Sequence, residues 1–380
     1  MKKMKFTDCV DIVGSSCHKF DGTKVYVSTG AVDTDRIEPL DTEIVDYDGR
    51  PSRANLVAEE NDILFAKMQA TEKTLPIDEE LSKHIYSTGF CAVRAKDHII
   101  TNKCLYYLLT SETFLEQKDK NCSGATQKAI TNAGLEKIVI SVPDLEQQTA
   151  FVEQMDAVRN MIVYRKEQLK KLDELVKSRF IEMFGDPVTN PKGWDKRKLS
   201  NECDIVTGNT PSRKNPEYYG DYIEWIKSDN INTPNATLTR ADEYLSQSGL
   251  EVGRYVDAGA ILMTCIAGSI GCIGNVAIAD RKVSFNQQIN GIIPKANNTW
   301  FMYVLFELTK KEIQSSINMA LKGILSKGQL SEMEFIFPPI DLQNEFATFV
   351  EQTDKLKFEV KEALEKLETL KKSLMQQYFE

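Results

Sequence analysis

FVEQMDAVRNMIVYRKEQLKKLDELVKSRF (151–180) decides the architecture, because its opening tetrad returns 198 residues later in FVEQTDKLKFEVKEALEKLETLKKSL (349–374). In the first copy Phe151, Met155, Val158, Ile162, Leu169, Leu172, Val176 and Met183 follow alternating steps of four and three, with Arg165 and Arg179 taking two of the steps. This is a heptad seam, a narrow apolar stripe that stays in water unless another helix covers it. Thr353, Leu356, Val360, Ala363, Leu367, Leu370 and Leu374 keep the same rhythm in the second copy. Helices of about 35 residues would span about 50 Å. Each is polar outside its seam, so the natural cover for one is the other. RKEQLKKLDELVKSRFIEMF (165–184) and VKEALEKLETLKKSLMQQYF (360–379) align without a gap and share nine positions, which argues against two unrelated surface helices.

The repeat extends upstream of both helices. EKIVISVPDLEQQ (136–148) and MEFIFPPIDLQNE (333–345) are apolar runs closed by proline and followed by acidic and amide residues suited to a helix start. GATQKAITNAGLEKI and LKGILSKGQLSEM precede them, and NDILFAKM (61–68) matches GAILMTCIAGSIGCIGNVAI (259–278). Short β-rich runs such as KVYVST, YSTGFCAVRA, YIEWIK and NGIIP dominate the globules, and each globule then has one helical run, NKCLYYLLTSETFLEQ or NTWFMYVLFELTKKEIQSSI. The expected fold is α+β: two similar globules with twisted, mostly antiparallel sheets, separated by two long coiled-coil helices in an internal duplication. Expected bounds are 1–143 and 186–338 for the globules, and 144–185 and 339–380 for the helices. FGDPVTNPKGW (184–194), with two prolines and two glycines, divides the halves.

Composition narrows the function. The chain of 380 residues is 42% hydrophobic and 27% charged, without an apolar run long enough to span a membrane. MKKMKFTDCVDIVG has no apolar stretch behind its lysines, so no secretory leader is expected there. Eight scattered cysteines form no CxxC, which favours reduced thiols in a cytoplasmic protein over zinc or disulfides. A net charge of −9 excludes a uniformly basic coat and leaves room for a local basic face.

Catalytic signatures are missing: no G-x-x-x-x-G-K-[ST], no HExxH, no G-x-S-x-G. NPEY at Asn215 differs from the amino-methyltransferase tetrad NPPY and lacks a glycine-rich cofactor loop, so it reads as a surface turn. Gly268, Gly271 and Gly274 lie in a strand-like run and read as a bulge or tight turn. What remains is loop chemistry suited to phosphates and base edges. The second globule offers Thr207, Asn209, Thr210, Ser212, Arg213 and Lys214, then Lys227, Ser228 and Asn230. The first offers Ser15, Ser16, His18, Lys19 and Lys24, the pair Arg50 and Arg53, and Thr126, Gln127 and Lys128. Asn286, Gln287 and Gln288 of FNQQ fit adenine, but a structural role in the turn is favoured.

The order globule, helix, globule, helix resembles the specificity subunit of type I restriction–modification complexes. DIVTGNTPSRK, WIKSDNIN, GAILMTCIAGSIGCIGNVAI, FNQQINGIIP, PPIDLQNEFATFVEQ and VPDLEQQTAFVEQ carry the resemblance, which covers essentially the whole chain. The first half departs most, with GSSCHKFDG in place of GNTPSRKNP and no FNQQ. The resemblance implies a non-catalytic subunit whose globules are target recognition domains, each reading one half of a split DNA site, with two long antiparallel coiled-coil helices as spacer in a pseudo-twofold internal duplication. It also implies two DNA adenine methyltransferase subunits bound here, and restriction subunits bound through them. Adenosylmethionine, ATP and magnesium would belong to those partners, and this chain would hold no cofactor or metal. Two other readings stay open: a coiled-coil scaffold without DNA contact, and an unrecognised stand-alone DNA-modifying enzyme.

Overall fold

The computed structural model describes residues 1–33, 37–125, 127–317 and 323–379. The chain divides into one unit of residues 1–167 with 361–380, and a second of residues 168–360. Each unit holds one globule and parts of both long helices, Leu145–Phe184 and Ile340–Phe379. At 40 residues apiece these helices exceed the expected length, and each spans about 60 Å.

In the first unit, strand Lys2–Lys5 pairs antiparallel with Val139–Val142, so the globule is closed before the long helix begins. A four-stranded sheet follows in the order Thr74–Pro76, Asp62–Ala66, Phe90–Ala95, Val10–Val13, antiparallel throughout. Asp62–Ala66 is buried at every residue, which explains the apolar run Ile63–Ala66, while the buried Asp62 is paired with Arg94. The second sheet runs Ser15–Ser16, Ala54–Val57, Ile85–Ser87, Lys24–Val27, Glu43–Val45, with one parallel pairing between Ile85–Ser87 and Lys24–Val27. Helix Asn102–Leu109 buries all residues from Cys104 onward, and the Thr101 hydroxyl caps it by accepting from the Cys104 N–H.

The second unit repeats this plan. Lys196–Lys198 pairs with Glu334–Ile336. One antiparallel sheet runs Cys203–Thr207, Ile289–Pro294, Ile261–Thr264, Val276–Ile278. The other runs Tyr244–Leu245, Tyr219–Ile226, Val283–Phe285, Tyr255–Val256, again with a single parallel pairing, Tyr219–Ile226 with Val283–Phe285. Helix Thr299–Leu308 is capped by the Asn298 side chain. The duplication therefore extends to the order of the shared strands and to a parallel strand pairing in each unit, with Ser15–Ser16 as an added edge strand in the first.

A buried glutamine fastens each long helix to its globule. Gln148 donates to Ile99 O and Pro143 O, both at 2.9 Å, and accepts from the Thr101 N–H at 2.8 Å. Gln343 donates to Asn297 Oδ1 and Pro338 O and accepts from the Asn298 N–H at 3.0 Å. Three residues on, Phe151 packs against Tyr378 and Phe379 within the first unit, while Phe346 packs against Phe180 and Phe184 within the second. In both units the start of one helix meets the end of the other, so the pairing is antiparallel.

These contacts correct the register read from the repeated tetrad. The partner of Phe151 in the duplication is Phe346, fully buried, whereas Phe349 is only half-buried. A three-residue slip keeps nearly the same helix face because the helical period is 3.6, so FVEQ recurs one turn out of step. The seam of the second helix shifts with it. Val360 is buried and Leu367 and Leu374 are half-buried, but Leu356 and Leu370 are exposed, at 51% and 45%. Lys357, Leu364 and Lys371 are half-buried one residue away, and Lys357 pairs with Asp173 at 2.6 Å in the second unit. A long lysine can line a seam with its methylenes and leave its charge outside. In the first helix Met155, Val158, Ile162 and Val176 are buried, and Leu169 and Leu172 half-buried.

Candidate nucleic-acid interface

The second globule gathers its polar loops on one surface. Gly208 N–H donates to Ile289 O at 3.0 Å, and Asn209 N–H to Phe285 O at 3.1 Å, which lays the opening loop across the FNQQ turn. Glycine is required at 208, since a Cβ there would sit 2.1 Å from Asn286 O. Cys265 and Ile266 N–H groups donate to Gln288 O at 2.8 and 3.1 Å, bringing in the glycine-rich segment as a third strip. That segment folds as a short turn, with Gly274 at a φ of +83° and Gln314 donating to Ile270 O and Ile273 O. Asn286 is buried and ties the turn to Gln288, while Gln287 is exposed and meets the Thr210 hydroxyl.

Farther along the loop, Arg213 lies over Tyr219 at 4.4 Å and Trp225 at 5.3 Å, and Lys227 over Trp225 at 5.5 Å. One carboxylate serves both cations: Glu243 Oε2 accepts from Arg213 Nη2 at 2.6 Å, and its Oε1 accepts from Lys227 Nζ. Hydrogen bonding from Lys227, then from Arg213, holds the Glu243 carboxyl below the usual range. Trp225 Nε1 donates to Asn209 O at 3.3 Å, so this cluster adjoins the opening loop.

Several predicted readers are committed internally. Asn230 is buried, accepts from the Lys227 N–H and donates to Thr239 Oγ1 and Arg240 O. Thr207 donates to Asn290 Oδ1 at 2.8 Å. Asn209 donates to Val252 O at 2.8 Å while its buried Oδ1 is left as an unmatched acceptor. Thr210, Ser212 and Lys214 are exposed, and Ser228 half-buried at the first turn of a 3-10 helix.

The first globule brings together a different set. Arg53 Nη2 donates to Gln127 Oε1 at 3.4 Å across 74 residues of sequence, and Gln127 contacts Met68 Sδ at 3.0 Å. Arg53 O accepts from the Thr88 N–H, and Gly89 O from the Lys67 N–H. Ser15 and Ser16 pair with Val57 and Leu56 on the strand that follows Arg53. His18, Lys19 and Lys128 are exposed, and Lys24 lies 5.3 Å from the Phe20 ring. Arg50 instead folds back over Tyr47 at 3.8 Å and donates to Tyr47 O and Ala54 O. Thr126 lies outside the described residues. Lys67, Gln69 and Thr88 join this surface unpredicted. Ser87-Thr88-Gly89 joins the same two strands that FNQQ joins in the second unit, a position recoverable only by aligning YSTGFCAV with SFNQQINGII.

Buried acids and thiols elsewhere are structural. Glu224 is buried between Arg281 and Arg240 and accepts from the Ala241 N–H. Hydrogen bonds from Arg281 foremost bring its carboxyl down to about 2. Burial pushes Cys91 up to about 11 and Cys104, Cys203 and Cys265 up to about 12, so these thiols are protonated at neutral pH. Among the described residues no helix is long and apolar enough to cross a membrane.

The chain is similar to known proteins along both halves. The type I restriction modification DNA specificity domain matches residues 8–174 and 191–371. The type I restriction enzyme HindI specificity subunit of Haemophilus influenzae is 22% identical over 80% of this chain and 80% of its own length. The MjaIX specificity subunit of Methanocaldococcus jannaschii is 31% identical over 50% of this chain and 44% of its own. The solved S subunit of a type I system from M. genitalium covers 100% of this chain and 96% of its own, with a TM-score of 0.62 at 12% identity. With a duplicated fold and family matches in both halves, the chain belongs to the type I restriction modification DNA specificity family.

Proposed function

We propose that this chain reads a bipartite site in duplex DNA, one half per globule, and contributes recognition, not catalysis, to a type I restriction–modification complex. The observation that carries this is the duplicated surface at the loop ends of the two sheet pairs. The second unit offers Thr210, Arg213, Lys227 and Gln287 there, and the first Arg53, Thr88 and Gln127. Amide and guanidinium groups can read base edges, and the cations attract phosphate.

Both long helices run from one unit into the other. On this reading their paired length sets the gap between half-sites. Methyltransferase subunits supply the chemistry and restriction subunits join through them. The internal duplication supports two methyltransferase copies, one per repeat. Adenosylmethionine, ATP and magnesium then belong to the partners, and the assembly works in the cytoplasm with the DNA. The test is enrichment from a randomised duplex pool by the full chain co-purified with its methyltransferase subunits. A split motif with an unspecified middle supports the reading. Absence of any sequence preference overturns it and favours a scaffold that does not touch DNA.

A further inference from the structure

We propose that Glu243, an acid on a DNA-facing surface, is a positioning residue that sets Arg213 to read a base instead of a phosphate. This rests on the recognition reading above. A carboxylate at a DNA interface repels phosphate, so it weakens general binding. Glu243 nevertheless sits between the two cations that adjoin the opening loop, at 2.6 Å from Arg213. It reduces a doubly positive cluster to a single net charge.

The aromatic floor completes the argument. The Tyr219 and Trp225 rings lie 4.4 and 5.3 Å from the Arg213 guanidinium carbon, and Glu243 accepts a hydrogen bond from Nη2. The cation is held beside two rings and on one carboxylate oxygen, and with 57% of the side chain exposed its other N–H groups are open to a partner. A guanine offers O6 and N7 to such groups in the major groove. A flexible cation on the surface would settle on the nearest phosphate instead, because that contact needs no orientation. The same strand supplies the support: Glu243 O accepts from the Trp225 N–H at 2.9 Å, so acid and ring move together. Glu243 therefore trades affinity for selectivity.

The trade gives a test whose two readouts move in opposite directions. Glu243→Gln keeps the shape and removes the charge. Binding to a randomised duplex pool is measured by enrichment sequencing, and affinity for an unrelated duplex across a salt series, with the full chain in its methyltransferase complex. The expected result is a fall of about fivefold or more in discrimination at one base-pair position. Affinity for unrelated duplex rises, with a steeper salt dependence by about one unit. Arg213→Lys keeps the charge but loses the planar fork, and should lose the same discrimination without gaining general affinity. Unchanged base preferences in Glu243→Gln, or a parallel loss on all sequences with a lowered melting temperature, overturn the inference and leave the recognition reading intact. A wild-type complex with no base preference overturns both.

Discussion

Two arginines, one per globule, stack on aromatic rings and do different work. Arg50 lies 3.8 Å from the Tyr47 ring and spends its N–H groups on Tyr47 O and Ala54 O. Arg213 lies on Tyr219 and Trp225 and is held by a carboxylate at a side-chain exposure of 57%. Glu43 faces Tyr26 on the ladder where Glu243 adjoins Trp225, so the strand framework is duplicated, with the two arginines in different loops of it, Arg50 after Glu43–Val45 and Arg213 before Tyr219–Ile226. The loops themselves are not. Main-chain acceptors make Arg50 part of its loop, whereas Arg213 gives one Nη2 hydrogen bond to Glu243 and keeps its other N–H groups for a partner. The duplicated frame fixes where each surface lies, and the loop side chains decide what each reads.

The largest expected effect concerns the frame. Gln148→Leu and Gln343→Leu each strip three hydrogen bonds from buried or half-buried partners. With about 1–3 kcal/mol per unmatched buried group, each variant should lose about 3 kcal/mol or more of stability. Chemical denaturation measures this. If only one of the two variants were destabilised, the equivalence of the two helix anchors would fail.

Next comes an acid-sensitive contrast within the second globule, between Glu224 and Glu243. Glu224 has its carboxyl depressed from the ordinary 4.5 to about 2, foremost by Arg281. Its stabilisation is fully present above 4.5 and fades as pH falls toward 2, and amounts to about 3 kcal/mol. Glu224→Gln should therefore lower stability at neutral pH and flatten the acid limb of the unfolding curve. Glu243→Gln should alter that limb less, since the group is only half-buried and solvent screens its bonds to the more exposed Arg213 and Lys227. Equal flattening by both would erase the distinction between a structural acid and a positioning one.

The arginine pair itself predicts smaller and opposed effects. Arg213→Ala should cost about 1–3 kcal/mol of discrimination at one base pair and leave stability nearly unchanged. Arg50→Ala should lower the stability of the first globule by about 1 kcal/mol or more and leave base preferences in place. Melting curves beside pool enrichment check both, and a reversal of the two outcomes would mean the roles are misassigned.

Much of this was legible in the sequence, for physical reasons. A heptad seam in an otherwise polar helix needs a partner, and the repeat supplied one, so the architecture followed. The register is split between two signals: the ungapped match of 165–184 with 360–379 pairs Phe151 with Phe346, as the structure does, whereas the repeated tetrad and the seam drawn from it pair Phe151 with Phe349. The seam then fell on Leu356 and Leu370 by apolarity alone, when the buried row includes Lys357 and Lys371. Loop chemistry was read by residue type, which cannot separate Asn230, spent on Lys227, Thr239 and Arg240, from the exposed Thr210. Glu243 was missed because an acid is not sought on a DNA-binding face.

The claim that each globule reads its own half-site has one direct measurement. Residues 1–143 are replaced with the corresponding domain of a relative, the complex is assembled with its methyltransferase subunits, and the methylated sites are sequenced. The account predicts that one half of the split motif changes while the other half and the intervening length stay the same. A change in both halves, or in neither, would contradict it.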